Sequence, residues 1–238
     1  MKIIAIGDLH GLDYWKQIVN TQTFDKIIFL GDYFDSFTVD FESQMNNFLD
    51  IMAFKDSNEE KVITLLGNHD YAYLPAIYHD TIRGFQYENA GFIGATVKKF
   101  LDCDYLKVVH QEDKLIFSHA GVSEVYLDYC FGTKGCKFNE IEENVNHIFK
   151  LEPKVLYFNG PEPSGDNLDE SPIWIRPRAL RLSSKKLSEY GYIQIVGHTK
   201  MGSLVCMDNQ KHFFIDTMST SQECLMIEDN KFSVLKCK

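Results

Sequence analysis

The sequence predicts an α/β fold, a two-sheet β-sandwich flanked by helices, on three observations. Short β-branched and aromatic runs recur along the chain, each ending in a turn that delivers Asp, Asn or His. Between the early runs lie stretches of helical spacing, the βαβ alternation of a parallel or mixed sheet covered by helices. The C-terminal tail instead carries paired short runs around polar turns, which read as two hairpins.

Taken in order, Ile3-Ile4-Ala5-Ile6 is a buried strand that runs into Gly7-Asp8-Leu9-His10-Gly11. Helical spacing from Asp13 to Val19 leads to Lys26-Ile27-Ile28-Phe29-Leu30 and then Gly31-Asp32-Tyr33-Phe34-Asp35. A second helix over 41–54, with Phe41, Met45, Phe48, Leu49 and Met52 on one face, stops at the acidic turn 56–60. Val62 to Leu66 then delivers Gly67-Asn68-His69-Asp70. Residues 71–113, rich in Tyr and Phe with weak periodicity, read as helix and loop beside the site. Leu115-Ile116-Phe117 precedes Ser118-His119-Ala120-Gly121, and Ile193 to Val196 precedes Gly197-His198-Thr199.

Between those two strands an insertion at about 122–172 is expected, helical at first, most clearly from Phe138 to Leu151. Five of the six prolines fall between Pro153 and Pro177, so an exposed, partly stiffened flap is expected there, with Asp166, Asp169 and Glu170 as solvated charges. Tail strands pair Val205–Met207 with His212–Ile215 and Cys224–Ile227 with Phe232–Leu235. No internal repeat or linker divides residues 1–238, which read as a single domain.

A net charge of −10 argues against general affinity for nucleic acid or anionic membrane. No apolar run approaches membrane-spanning length, and Met1 to Ile6 is too short for a signal-peptide core, so a soluble, cytoplasmic protein is expected. The six cysteines lack C-x-x-C spacing and read as free thiols, with Cys130 and Cys136 the one pair near enough for a clip.

Open α/β sheets place their sites at the C-terminal strand edge, and Asp, Asn and His are ligands for hard or borderline divalent metals. One such loop would be an ordinary turn; five in one chain point to a metal centre. Two ions can be assembled: Asp8 and His10 on the first, Asn68, His119 and His198 on the second, Asp32 bridging both. Such a pair keeps a surplus of positive charge, suits an anionic phosphate substrate and lowers the pKa of a shared water. His69 follows a ligand and can protonate a leaving oxygen near neutral pH, held in its useful tautomer by Asp35. Arg176, after the flap, is the leading candidate for gripping phosphoryl oxygens, and Arg178 is second. Trp174 reads as packing; His79, His110, His147 and His212 read as ordinary histidines.

The motifs Gly-Asp-x-His-Gly, Gly-Asp-x-x-Asp, Gly-Asn-His-Asp, His-Ala-Gly and Gly-His-Thr, in this order from Gly7 onward, resemble those of the calcineurin-like metallophosphoesterases. They are most similar to the phosphoprotein-phosphatase branch with its small bacterial and phage members, and to the diadenosine tetraphosphate hydrolases. The resemblance implies a four-layer α-β-β-α fold and the metal and acid roles given above. It also implies manganese, iron, zinc or nickel as the dinuclear cofactor. Trp174-Ile175-Arg176 and Ile215-Asp216-Thr217 resemble further segments of the bacterial members. A phosphomonoester, first of all phosphoserine or phosphothreonine on protein, is the expected substrate. Two positions depart from the branch pattern: Ser36 stands where an arginine usually follows Asp35, and Asp70 replaces Glu; Lys200, where the wider superfamily often has a second ligand histidine, supports the branch layout, in which His198 serves the second metal alone. The missing arginine gives weight to a rival substrate class: nucleotides, dinucleoside polyphosphates, nucleic-acid ends or cyclic phosphates. From another class comes a non-catalytic scaffold of the same fold.

Overall fold

The computed structural model describes residues 1–77, 80, 82–132, 135–157, 161–162 and 164–237. Strands β1 (Lys2–Ile6), β2 (Lys26–Phe29), β3 (Val62–Leu65) and β4 (Leu106–Lys107) run parallel in one sheet. That sheet is completed by the antiparallel hairpin of β10 (Glu223–Glu228) and β11 (Lys231–Lys236), in the order β11-β10-β1-β2-β3-β4. The second sheet has the order β5-β6-β7-β9-β8. In it β6 (Leu115–Ser118), β7 (Ile193–Val196) and β9 (His212–Phe214) are parallel, and β5 (Val109–Glu112) and β8 (Val205–Met207) are antiparallel edges.

Alternation along the strands builds the layers. Ile3, Ala5, Ile28, Leu30, Ile63 and Leu65 of the first sheet share one buried cluster with Leu115, Phe117, Ile195 and Phe213 of the second. Their neighbours in sequence, Ile4, Ile6, Ile27, Phe29 and Val62, face the other way and pack with Trp15, Ile18, Phe48, Ile51 and Met52. Those come from α1 (Trp15–Thr21) and α2 (Phe41–Ser57), the latter capped by Asp40, whose carboxylate accepts from Ser43 N at 2.9 Å. The period-2 pattern therefore buries both faces of the parallel strands, as helix-covered sheets require.

Single-turn α3 (Asn68–Tyr71) follows β3, and α4 (Ala90–Asp102), α5 (Glu124–Phe131) and α6 (Ile141–Leu151) pack on the same core. Short helices α7 (Pro177–Leu182) and α8 (Lys185–Glu189) follow, with Pro177 in the first turn of α7, where its missing N–H costs nothing.

Two expectations are corrected. Residues 71–113 contain the strands β4 and β5 besides helix, too short to impose a periodicity of their own. The exposed flap is shorter than expected: Glu170 through Ile175 are buried, and Pro172 O accepts from Ala120 N at 2.7 Å. Glu170 is thus not a solvated charge; it accepts from Asn167 Nδ2 at 2.8 Å. Of the flap, Asn159, Gly160 and Pro163 lie outside the described residues, as does His79. All six cysteines are free. No helix among the described residues is long and apolar enough to cross a membrane.

Candidate active site

Parallel strands end on the same edge, so β1, β2 and β3 of one sheet and β6 and β7 of the other bring five loops together. Asp8, Asp32, Asn68, His119 and His198 are all buried there. Asp8, Asp32 and His119 each offer a ligand atom, all within 4.8 Å of one another. Asp32 stands between two histidines, its Oδ2 lying 3.4 Å from His119 Nε2 and 3.8 Å from His10 Nε2. Asn68 Oδ1 lies 2.9 Å from both His119 Nε2 and His198 Nδ1.

Each imidazole is held from behind. His119 Nδ1–H donates to Leu30 O at 2.9 Å, His10 Nδ1–H to Phe34 O at 2.5 Å, and His198 Nε2–H to Trp174 O at 3.0 Å. The remaining nitrogens, with Asn68 Oδ1 and the two aspartates, converge on one point and present lone pairs to it once the imidazoles are neutral. Such a set of converging acceptors fits a cation, and outer hydrogen bonds of this kind are what fix a metal-binding imidazole. Electrostatics agree: burial alone would lower the pKa of His119, but the Asp32 and Asp8 charges raise it to about 10. Burial likewise opposes ionisation of Asp32, yet His119 and His69 hold its carboxyl well below the usual range.

The loops are interlocked by their own backbones. Asp70 accepts from the N–H groups of Asp32, Tyr33 and Gly67 at 2.8, 2.9 and 2.9 Å, tying the second loop to the third. Asp8 accepts from His198 N at 3.0 and 3.1 Å, tying the first to the last. At Gly67 a Cβ would lie 2.1 Å from Asp32 Oδ1, and at Gly197 one would lie 2.1 Å from Asp8 Oδ1, so a side chain at either position would occupy the space of a carboxylate. His10, Asp32, Asp35 and His198 have φ of 44°, 55°, 66° and 61°, the left-handed region that side-chain-bearing residues seldom adopt.

Beside the cluster, His69 Nδ1–H donates to Asp35 Oδ2 at 2.7 Å, and the His69 and His10 rings meet edge-on at 5.1 Å. Burial disfavours the His69 cation, but the Asp32 charge and the Asp35 hydrogen bond raise its pKa. Arg176 Nη1 donates to His198 O at 3.2 Å and Thr199 Oγ1 at 3.0 Å, which brings its guanidinium to the edge of the cluster. Arg178 is not brought there: its side chain is 77% exposed and Nη1 donates to Asp166 Oδ2 at 3.0 Å. Asp166 is in turn held by Ala179 N, so it is less free than a solvated flap charge. Two further carboxylates belong to the site's surroundings. Asp70 closes the Gly-Asn-His-Asp motif, and Asp216 lies two residues beyond β9, where burial and the Asp32 charge push its pKa up to about 6. The signal for Asp216 was the resemblance of Ile215-Asp216-Thr217; that β9 runs parallel to β7 on the same sheet edge is seen only in the structure.

A two-sheet sandwich whose strand ends converge on this donor set defines a metal-dependent phosphoesterase. The chain belongs to the calcineurin-like phosphoesterase family, whose model matches residues 1–214. No curated protein matches the sequence. Among solved structures it is similar to the cold-active protein-tyrosine phosphatase of a psychrophilic Shewanella species, with 15% identity over 99% of this chain and 78% of that one and a TM-score of 0.69. A protein serine/threonine phosphatase from Saccharomyces cerevisiae shares 11% identity over 99% and 79% of the two chains, TM-score 0.61. A metallophosphoesterase from Sphaerobacter thermophilus shares 13% over 99% and 89%, TM-score 0.52. At these identities the likeness is one of fold.

Proposed function

We propose that this chain hydrolyses phosphomonoesters, with a phosphorylated protein side chain, phosphoserine or phosphothreonine first, as its substrate. Two divalent cations, manganese the leading candidate, would be held by Asp8 and His10 on one side, by Asn68, His119 and His198 on the other, and by Asp32 between. The observation that carries this reading is the common focus of Asp8, Asp32 and His119 within 4.8 Å, immediately beside the His69–Asp35 pair. When bound, the cations would neutralise phosphoryl oxygens and acidify the attacking water.

The chain's own groups supply the rest. His69 gives its Nε2 proton to the ester oxygen as the bond to phosphorus breaks, while Asp35 holds Nδ1–H and stabilises the cation beforehand. Arg176 offers a guanidinium to the phosphoryl oxygens from the rim of the cluster. Protein phosphatases among the structurally similar proteins support a phosphorylated side chain as substrate. The decisive assay compares p-nitrophenyl phosphate, bis-p-nitrophenyl phosphate, diadenosine tetraphosphate and phosphoserine, phosphothreonine and phosphotyrosine peptides, with and without manganese. Preference for the phosphopeptides supports the proposal. No turnover with metals bound would leave a scaffold.

One observation favours the nucleotide reading. Beside Ser36, Phe37 is 69% exposed and carries the Arg83 guanidinium 5.0 Å from its ring centre. An aromatic face with a cation at the mouth suits a base and an anion together. Preference for diadenosine tetraphosphate that Phe37→Ala abolishes would favour this second reading.

A further inference from the structure

We infer that Tyr73 and Gln86, neither of them in a motif, are positioning residues that aim the His69–Asp35 pair. The inference rests on the acid role proposed above for His69. Asp35 has two carboxylate oxygens and both are committed: Oδ2 accepts from His69 Nδ1 at 2.7 Å, and Oδ1 accepts from the Tyr73 hydroxyl and from Gln86 Nε2 at 3.3 Å. Tyr73 Oη itself accepts from Gln86 N at 2.7 Å, so the donors run in one direction, from Gln86 N–H through Tyr73 O–H to Asp35.

Nothing in this chain of bonds is loose. Tyr73 is 2% exposed, and its ring stacks on Phe85 at 4.4 Å with an 11° tilt. Gln86 Nε2 also donates to Gln44 Oε1, at 3.2 Å, and that same oxygen accepts from Ser36 N at 3.2 Å. Ser36, which follows Asp35, and Gln86, which holds its carboxylate, are therefore anchored to one amide. A carboxylate with fixed oxygens can receive a proton-bearing Nδ1 in only one ring orientation, which leaves Nε2 of His69 to face the substrate. Hydrogen bonds to its other oxygen keep Asp35 an acceptor, not a wandering counter-ion. Asp35 has φ of 66°, and a methyl on Gly84 would touch its Cβ at 3.3 Å, so the backbone is confined from the same side.

Tyr73→Phe removes the hydroxyl and keeps the stack on Phe85. With manganese-loaded enzyme and a series of dinitrophenyl, p-nitrophenyl and phenyl phosphates, kcat should fall about 10-fold on phenyl phosphate, which needs an acid, and less than about 2-fold on the dinitrophenyl ester. KM and bound metal should stay unchanged, and Gln86→Leu should show the same pattern more weakly. In Tyr73→Phe/His69→Ala no loss should appear beyond that of His69→Ala, because Tyr73 acts only through the imidazole. In the metal-free protein, the nitrogen-15 spectrum of His69 should report an Nδ1–H tautomer that Tyr73→Phe mixes. Equal losses on all three esters, additive losses in the double variant, or an unaltered His69 spectrum would overturn the inference. If His69→Ala itself shows no leaving-group dependence, the acid reading falls and this inference with it. If His69→Ala is steep while Tyr73→Phe and Gln86→Leu are flat, this inference alone falls.

Discussion

Replacing Gly197 by alanine probes the cluster without altering a candidate ligand. A Cβ there would lie 2.1 Å from Asp8 Oδ1, while Asp8 Cγ at 3.4 Å and His119 O at 3.6 Å are at ordinary contact. Real Cβ atoms keep at least 3.0 Å, so the Asp8 carboxylate alone must retreat, from 2.1 to 3.0 Å or about 0.9 Å. Metal–ligand distances tolerate about 0.2 Å, and a misplacement of about 1 Å near the chemistry costs about 100-fold in rate. The retreat also strains the His198 N–H bonds to both Asp8 oxygens, a charge-assisted contact worth roughly 1.5–3 kcal/mol. The expected Gly197→Ala protein is folded and about 2 kcal/mol less stable without metal. It binds one manganese as the wild type does and the other at least about 10- to 100-fold more weakly. Its kcat on p-nitrophenyl phosphate falls about 100-fold. Isothermal titration with manganese, set beside urea unfolding of the metal-free form, measures both terms. Two binding steps of wild-type affinity would refute the assignment of Asp8 as a ligand.

Arg176→Lys loses the fork that reaches His198 O and Thr199 Oγ1; KM for a phosphomonoester should rise about 10-fold with metal content unchanged, read by steady-state kinetics and metal analysis. Chelation should abolish hydrolysis and manganese restore it, whereas magnesium, which prefers oxygen ligands in octahedral geometry, should restore little. In the metal-free protein His119 titrates at about 10 against an ordinary 6.5, so the stability it contributes is complete below 6.5 and is lost as pH rises toward 10. Asp216, raised from 3.8 to about 6, binds its proton more tightly in the folded state and adds a decline between those values. The urea midpoint of the metal-free form should therefore fall from pH 6 to pH 9.5. Manganese should reverse the trend, because its ligands bind as their protons leave.

Much of this candidate site was legible because each candidate ligand sits at or just past the end of a strand whose apolar run is itself readable. Ile3 to Ile6 and Lys26 to Leu30 announce buried strands, and Gly7-Asp8 and Gly31-Asp32 follow without a gap. Tyr73 and Gln86 were not legible, because their role lies in a meeting of three segments with no shared pattern. Asp216 was noticed only through the resemblance of Ile215-Asp216-Thr217, and its place beside the cluster went unread: β9 is three residues long and read as half of a hairpin, which gives no hint that it also runs parallel to β7. Arg178 misled because sequence proximity to Arg176 says nothing about direction; at the start of α7 the two side chains diverge, one toward His198 and one toward Asp166.

The candidate site holds four residues in strained backbone. His10, Asp32, Asp35 and His198 all hold left-handed backbone, at about 1–3 kcal/mol each for residues with a Cβ. Such geometry persists only when its surroundings over-determine it, and here they do: Asp70 gathers three N–H groups from two loops, and the Asp32 carbonyl accepts from Leu9 N at 3.1 Å and His10 N at 2.8 Å. The anchoring strands are buried on both faces, so a loop can relax only by breaking bonds to another loop. It follows that the candidate ligands do not move independently. A substitution that frees the Asp70 ties between the second and third loops should loosen metal binding at both positions, whereas Gly197→Ala, which displaces the Asp8 carboxylate and leaves those three Asp70 bonds intact, should affect one. The contrast between those two outcomes separates a cage built by the sheet edges from a set of independent side chains that happen to meet.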